Sequence, residues 1–351
     1  MSSRYDASPA DVAEVLAGEP AYRSRQAWDG LHRRGLDPED ITELPAALRA
    51  RLAAAFPAAL EPAAESVADA GETVKWLWRL GDGALVETVL MATGDRATAC
   101  VSSQAGCAMA CGFCATGQAG FERNLSEGEI VEQVVRARRR AGARHLSNVV
   151  FMGMGEPLAN YDRVVAAVRR MTGDLGLSAR GVTVSTVGVV PGIRRLAGEG
   201  LPVTLAVSLH AANDALRDEL VPLNRRYPLD VLMAACAEHR AATGRRLSFE
   251  WALMDGVNDR PSDAVELAAR ARPLGAHVNL IPLNPTPGWP MPGTPATGVR
   301  AFRDRHRSPG VNVTVRRTRG TERDAACGQL RAGHEVTPVA APARRPRSLS
   351  S

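Results

Sequence analysis

The chain has 351 residues, a formal net charge of +5 and 45% hydrophobic residues, enough apolar material for one large catalytic core and a smaller accessory unit. No run of about 18 apolar residues occurs, which argues against a membrane span, and the N-terminus lacks the apolar stretch of a secretory signal, so a cytoplasmic protein is expected. Lys75 is the sole lysine; arginine therefore carries nearly all the positive charge, as GC-rich coding would produce and as phosphate recognition would favour.

In chain order, residues 1–74 read as an Ala-rich helical accessory domain. Within it, Arg25, His32, Arg33 and Arg34 lie beside Trp28 and Leu31, a small basic helix that suits an RNA contact and a solvated, Trp28-packed face equally well. Residues 75–92 read as a β-hairpin extension, because segments 74–80 and 85–90 alternate around Gly81-Asp82-Gly83. Residues 93–332 form the core. Strands are predicted at 98–103, 147–152, 181–186, 203–209, 247–252, 277–282 and 311–316, with helices near 127–141, 160–174, 213–220, 229–243, 261–272 and 295–307. The first of these helices opens on Ser126 and Glu129, a capping box. The alternation implies parallel strands joined by right-handed crossovers, hence an α/β fold. Six or so repeats suit a partial (β/α)6-type barrel rather than a closed eight-stranded one, with chemistry at the C-terminal ends of the strands. Residues 333–351, rich in Pro, Ala, Arg and Ser from Thr337 onward, are expected to form a disordered tail.

Cys107, Cys111 and Cys114 follow the first core strand directly. Three thiolates at this spacing wrap one corner of an iron–sulfur cubane and leave one iron open, the condition of a catalytic rather than a closed structural site. Zinc is the competing reading, with His145, Cys100 or His210 as the fourth ligand, although structural zinc normally uses a repeated C-x2-C knuckle. After strand 147–152 comes Gly153-Met154-Gly155-Glu156-Pro157-Leu158. Pro157 stands where a dinucleotide loop would open its helix, so a Rossmann site is not supported. The glycines instead let the backbone approach a small ligand, with Glu156 or nearby carbonyls receiving an ammonium group. Ser185, Ser208-Leu209-His210 and Asn284 stand at the ends of later strands; each alone reads as a satisfied turn or core polar group, and their shared position at the rim raises their interest.

These residues resemble the radical S-adenosylmethionine (radical SAM) superfamily, and within it the RlmN family of dual-specificity RNA methyltransferases. The resemblance is carried by segment 95–104 running into the cysteine triplet, then by segments 152–160, 208–210, 279–285 and 325–330, and it covers residues 75–332. It implies a [4Fe-4S] cluster on Cys107, Cys111 and Cys114, and two molecules of S-adenosylmethionine per turnover. One would methylate Cys327. The other would bind the open iron, with Gly155 and Glu156 near its amino group and Ser185, Ser208, Leu209, His210 and Asn284 along the rest. A 5′-deoxyadenosyl radical would take hydrogen from the methyl on Cys327, and the resulting carbon would add to C2 of an adenine. Cys100 would then resolve the protein–RNA adduct by a disulfide with Cys327, and Glu87, set in Val86-Glu87-Thr88-Val89, would carry the proton traffic. C2 is electron-poor and has no lone pair to attack a sulfonium methyl, which is why a radical is needed.

The implied targets are adenine-2503 of 23S ribosomal RNA (rRNA) and adenine-37 of certain transfer RNAs (tRNA), with base extrusion to reach the site. A flavodoxin or ferredoxin is the implied electron donor, and a monomer is expected. Cfr-type enzymes, which methylate C8 of the same ribosomal adenine, share the triplet and both additional cysteines and are the alternative. Cys236, in an Ala-rich helical segment, reads as packing.

Overall fold

A computed structural model describes residues 3–284, 289, 291–307 and 310–316. The N-terminal helices α1 (Pro9–Val15), α2 (Ala21–Trp28) and α3 (Ala46–Ala55) enclose a small core of their own, in which Leu16, Leu31, Ile41 and Leu52 are buried. A π-helical turn over Asp29–Arg33 carries His32 inward, where it stacks on Trp28 with ring centroids 3.8 Å apart. His32 is thus a core residue and not part of a basic face; Arg25 and Arg33 are exposed, and Arg34 is held by Asp29 and Glu43.

The helical reading of the N-terminal region fails at Glu61–Ala68, which is strand β1, antiparallel to β2 (Thr73–Arg79). Pro62 explains the difference. Proline breaks a helix interior but is tolerated on an outer strand, and the register shifts between Pro62 and Ala64. β2 pairs with β3 (Leu85–Thr93), the expected hairpin, and β3 pairs antiparallel with β4 (Arg96–Cys100). A short hairpin of β5 (Gln104–Gly106) and β6 (Phe121–Asn124), absent from the sequence reading, forms a separate two-stranded sheet.

In the main sheet, every strand pairing from β4 onward is parallel, through β7 (His145–Phe151), β8 (Val182–Thr186), β9 (Thr204–Ser208), β10 (Leu247–Leu253), β11 (His277–Pro282) and β12 (Val313–Val315). The main sheet runs β1-β2-β3-β4-β7-β8-β9-β10-β11-β12 and is not closed, an α/β partial barrel as predicted. Between its strands lie α4 (Ala115–Gln118), α5 (Glu127–Ala141), α6 (Tyr161–Gly173), α7 (Val190–Ala197), α8 (Asp214–Leu220), α9 (Leu229–Thr243), α10 (Pro261–Ala271) and α11 (Ala296–Arg307). The parallel strands bury apolar side chains in the core, Leu205 and Val207 on β9 and, in alternation, Phe249, Trp251 and Leu253 on β10. Cys236 lies in the same core, as read from the sequence.

The capping box of α5 forms: Ser126 Oγ accepts from the Glu129 N–H and the Glu129 carboxylate accepts from the Ser126 N–H at 2.8 Å. Asp6 joins this cap, accepting from the Gly128 N–H (2.6 Å) and the Ser126 hydroxyl (3.0 Å), so the first residues are tied to a helix of the main sheet. Among the described residues no helix is long and apolar enough to cross a membrane. Cys327 and the predicted tail lie outside the described residues.

Candidate active site

The cysteine loop is made by the hairpin beneath it. β5 and β6 close residues 107–120 into an excursion, and the closure needs glycine: Gly106 has φ +74, and a Cβ there would stand 2.0 Å from the Gly120 carbonyl oxygen. Within the loop the Cys107 N–H donates to Gly120 O (2.7 Å) and the Cys114 N–H to Cys111 O (3.1 Å), while Gln118 Nε2 donates to Gly112 O (2.6 Å). Cys111 is buried, Cys107 and Cys114 are half-buried, and all three line one cleft of about 210 Å³.

Burial pushes the Cys107 thiol up to about 12 and the Cys111 thiol higher still, and the neighbouring cysteine charges add to both. An apolar cleft therefore disfavours three bare thiolates. Iron supplies the positive charge that such a sulfur set requires, and the residues fit an iron–sulfur cluster. The single-zinc reading finds no support in the placement of its fourth ligands. His145 begins β7, at the opposite end of that strand from the cleft, Cys100 does not line the cleft, and the His210 Nδ1 accepts from the Ala252 N–H at 3.0 Å. Among the described residues, no three His, Cys, Asp or Glu side chains are arranged to hold one ion.

The loop after β7 forms the next wall. A Cβ on Gly153 would lie 2.6 Å from Val101 O, and Gly155 has φ +98 with a Cβ position 2.5 Å from that of Gln104. Gln104 clasps this turn by accepting from the Glu156 N–H at 2.8 Å. The buried Glu156 carboxylate accepts from the Leu158 N–H (3.0 Å) and the Val187 N–H (2.9 Å), joining the β7 and β8 loops; burial raises it to about 7. The sequence assigned Glu156 to a ligand's ammonium group; its carboxylate also works as a structural clamp, leaving only the remaining lone pairs to a ligand. Gly155→Ala should cost about 2 kcal/mol or more through strain and the collision with Gln104. The expected readings are a lowered melting temperature and at least a tenfold weaker calorimetric affinity for S-adenosylmethionine.

Ser185 and Ser208 end neighbouring strands with their hydroxyls 3.4 Å apart, and both line the cleft with His210. His210 has φ +59 and sits edge-on to Phe113 at 4.8 Å between centroids. Since its Nδ1 accepts a hydrogen bond and burial pushes its pKa down to about 3, the ring is neutral with its proton on Nε2. Leu209 does not line the cleft: it is a fully buried core residue whose N–H bonds to Glu250 O. The reason is the alternation of a strand end, which turns every second side chain away. Asn284 is half-buried beyond β11 and does not line it either.

Glu87 and Cys100 lie to one side, on adjacent strands. Cys100 is in register with Val89, and Ser102 Oγ donates to Glu87 O at 2.6 Å. The Glu87 carboxylate is buried with Lys75, the sole lysine, 3.2 Å away. Burial raises the Cys100 thiol, against the opposing charges of Arg316 and Lys75. Arg316 also lines the cleft, which links the two groups. Cys327 lies outside the described residues.

Residues that the sequence reading overlooked include Glu250, Arg316, Phe113 and Asn258. Glu250 lines the cleft and accepts from Ser248 Oγ and Asn279 Nδ2, both at 2.7 Å. A carboxylate alone in the apolar run Leu247-Ser248-Phe249-Glu250-Trp251-Ala252-Leu253 was the available signal. Asn258, wholly buried, binds His210 O, Ala252 O and the Met254 N–H, and so fixes the strand end that carries His210.

The family pattern described as the Radical SAM superfamily matches residues 101–268. The chain is 55% identical to a probable dual-specificity RNA methyltransferase RlmN of Parafrankia sp. (strain EAN1pec), over 90% of this chain and 87% of that protein. It is 54% identical to another protein so named, from Mycolicibacterium vanbaalenii, over 92% and 91% of the two chains. The crystal structure of a radical SAM methyltransferase from Sphaerobacter thermophilus superposes with a TM-score of 0.89 at 49% identity, covering 94% of this chain and 99% of that one.

Proposed function

This chain belongs to the RlmN family of radical SAM RNA methyltransferases, and from that premise we propose that it methylates C2 of adenine in 23S rRNA and tRNA through a methylated Cys327. The carrying observation is that three cysteines, one buried and two half-buried, and the Gly155-Glu156 turn face one cleft at the C-terminal ends of adjacent parallel strands.

In this reading Cys107, Cys111 and Cys114 would hold a [4Fe-4S] cluster. When bound, the cluster and S-adenosylmethionine supply the electron and the carbon radical that an electron-poor ring carbon requires. The Gly155-Glu156 backbone and the free lone pairs of Glu156 receive the ammonium group of the methyl donor. Ser185, Ser208 and the His210 Nε2–H border the rest of it, position 209 contributes through its backbone, and Asn284 continues the rim. Cys327 would accept a methyl group from one S-adenosylmethionine and, after losing a hydrogen atom to the radical derived from the second, would deliver that same carbon to C2. Once the adduct has given up its odd electron and the C2 proton, the Cys100 thiolate would attack the Cys327 sulfur: the S–S bond forms as the S–C bond breaks, and the released carbon takes up a proton to become the methyl group of the free base. Glu87, charge-balanced by Lys75, handles proton movement beside Cys100. The electron comes from a flavodoxin- or ferredoxin-type donor, and the protein acts as a monomer.

The test is the modified-nucleoside profile of rRNA and tRNA from cells with and without the gene, read by mass spectrometry. Loss of 2-methyladenosine from both RNA classes is expected. Loss of 8-methyladenosine instead would assign the Cfr-type reaction and overturn this one, as would an unchanged profile.

A further inference from the structure

Arg217, on α8, is almost completely buried, yet among the described residues no carboxylate lies within ion-pair distance of it. A guanidinium in that position is costly unless neutral acceptors surround it. Here they do. Nε donates to Leu209 O (3.0 Å), Nη2 to Val187 O (2.6 Å) and Ser208 O (3.3 Å), and Nη1 to Asn224 Oδ1 (2.9 Å). Three of these acceptors are the backbone carbonyls at the ends of β8 and β9, where the cleft walls turn. Asn224 passes the charge on: its Nδ2 donates to Asp214 (2.8 Å) and Asp218 (2.7 Å), so the balancing carboxylates sit one residue further out.

The same helix presses on the cysteine loop. Leu216, Leu220 and Val221 pack with Cys111, Phe113 and Val187 in a satellite core beneath the cleft. The guanidinium is therefore one carbonyl away from the space that Cys111 lines. Val187 and Ser208, whose carbonyls the guanidinium binds, line the same cleft as Cys111.

We infer that Arg217 is a positioning residue that knits the ends of β8 and β9 together and keeps a permanent positive charge beside the cluster, making that cluster easier to reduce by one electron. The electron is the one the flavodoxin- or ferredoxin-type donor supplies. A buried cation stabilises the reduced, more negative state of its neighbour, and burial protects the effect from salt screening. Hydrogen bonds alone would order the loops but would not move the couple in this direction.

The inference rests on the cluster assignment above, and the experiment separates the two. Anaerobically reconstituted protein is assayed for iron and sulfide, then titrated with dithionite in the presence of redox dyes while the reduced cluster is followed by electron paramagnetic resonance. Iron-free, sulfide-free unsubstituted protein defeats the cluster assignment itself. In loaded Arg217→Gln, which keeps a donor but loses the charge, the ratio of reduced to oxidised cluster at fixed poise should fall about tenfold, 59 mV for a one-electron couple. Arg217→Lys, which keeps the charge and loses the fork, should stay within about twofold of the parent. A normal couple in loaded Arg217→Gln, or equal shifts in both variants, overturns the inference. Asp218→Asn covers the case in which Arg217→Gln does not load: it leaves the guanidinium and its acceptors in place and removes a balancing charge. Its couple should move the opposite way by a smaller factor, and no movement overturns the inference.

Discussion

Cys107→Ala should yield a colourless protein with no turnover. Two remaining thiolates hold a cubane poorly, and the side chains packed against the loop, Met109, Phe113, Leu220 and Met254, offer no thiolate in replacement. The variant should fold. Its loop keeps the Cys107 N–H bond to Gly120 O, which the side chain does not make, and the β5–β6 closure that supports it. Circular dichroism and melting temperature close to the parent, together with loss of the brown absorbance and of iron and sulfide, are the expected readings. A variant that retains a full complement of iron and methylates RNA would remove Cys107 from the ligand set.

Cys100→Ala should do the opposite of silencing the protein. The cluster site is untouched, so chemistry proceeds up to the covalent adduct and stops, since no sulfur remains to attack Cys327 and displace the RNA-bound carbon. RNA crosslinked to protein should accumulate as a slow band on a denaturing gel, with free methylated product reduced by two orders of magnitude or more, the usual scale for losing a group that acts only in one step. The buried position of Cys100 matters here. Its thiol is raised by desolvation and sits near Lys75, Glu87 and Arg316, so it becomes a nucleophile only where those groups can manage its proton. Normal turnover by this variant would end the resolving role.

Much of the site could be read from residue types alone, and the physics explains where reading stopped. The triplet and the Gly155-Glu156 turn are local strings, and a loop after a strand is displayed by spacing. Glu250 and Arg316 face the same cleft from strands far away in the chain, and only the curvature of the sheet brings them round. Leu209 was assigned with its neighbours because the string is contiguous, whereas strand geometry sends it into the core. For the fold, strand–helix alternation displays the parallel strands from residue 97 onward but misses the short β5–β6 hairpin. At Glu61–Ala68 alanine content suggested helix, but pairing with β2 outweighs a propensity difference of a few tenths of a kcal/mol per residue. The inward turn of His32 depends on a π-helical residue shift that no periodicity announces.

The continuity of the main sheet has a consequence for how such a protein could be shortened. β3 supplies Glu87 and also covers the outer side of β4, whose last residue is Cys100. Trimming the chain to the parallel strands would leave β4 with a row of bare amides and carbonyls, an invitation to self-association. The strand that shields that flank also carries Glu87, so a chain trimmed of it would lose the covered edge and the glutamate together.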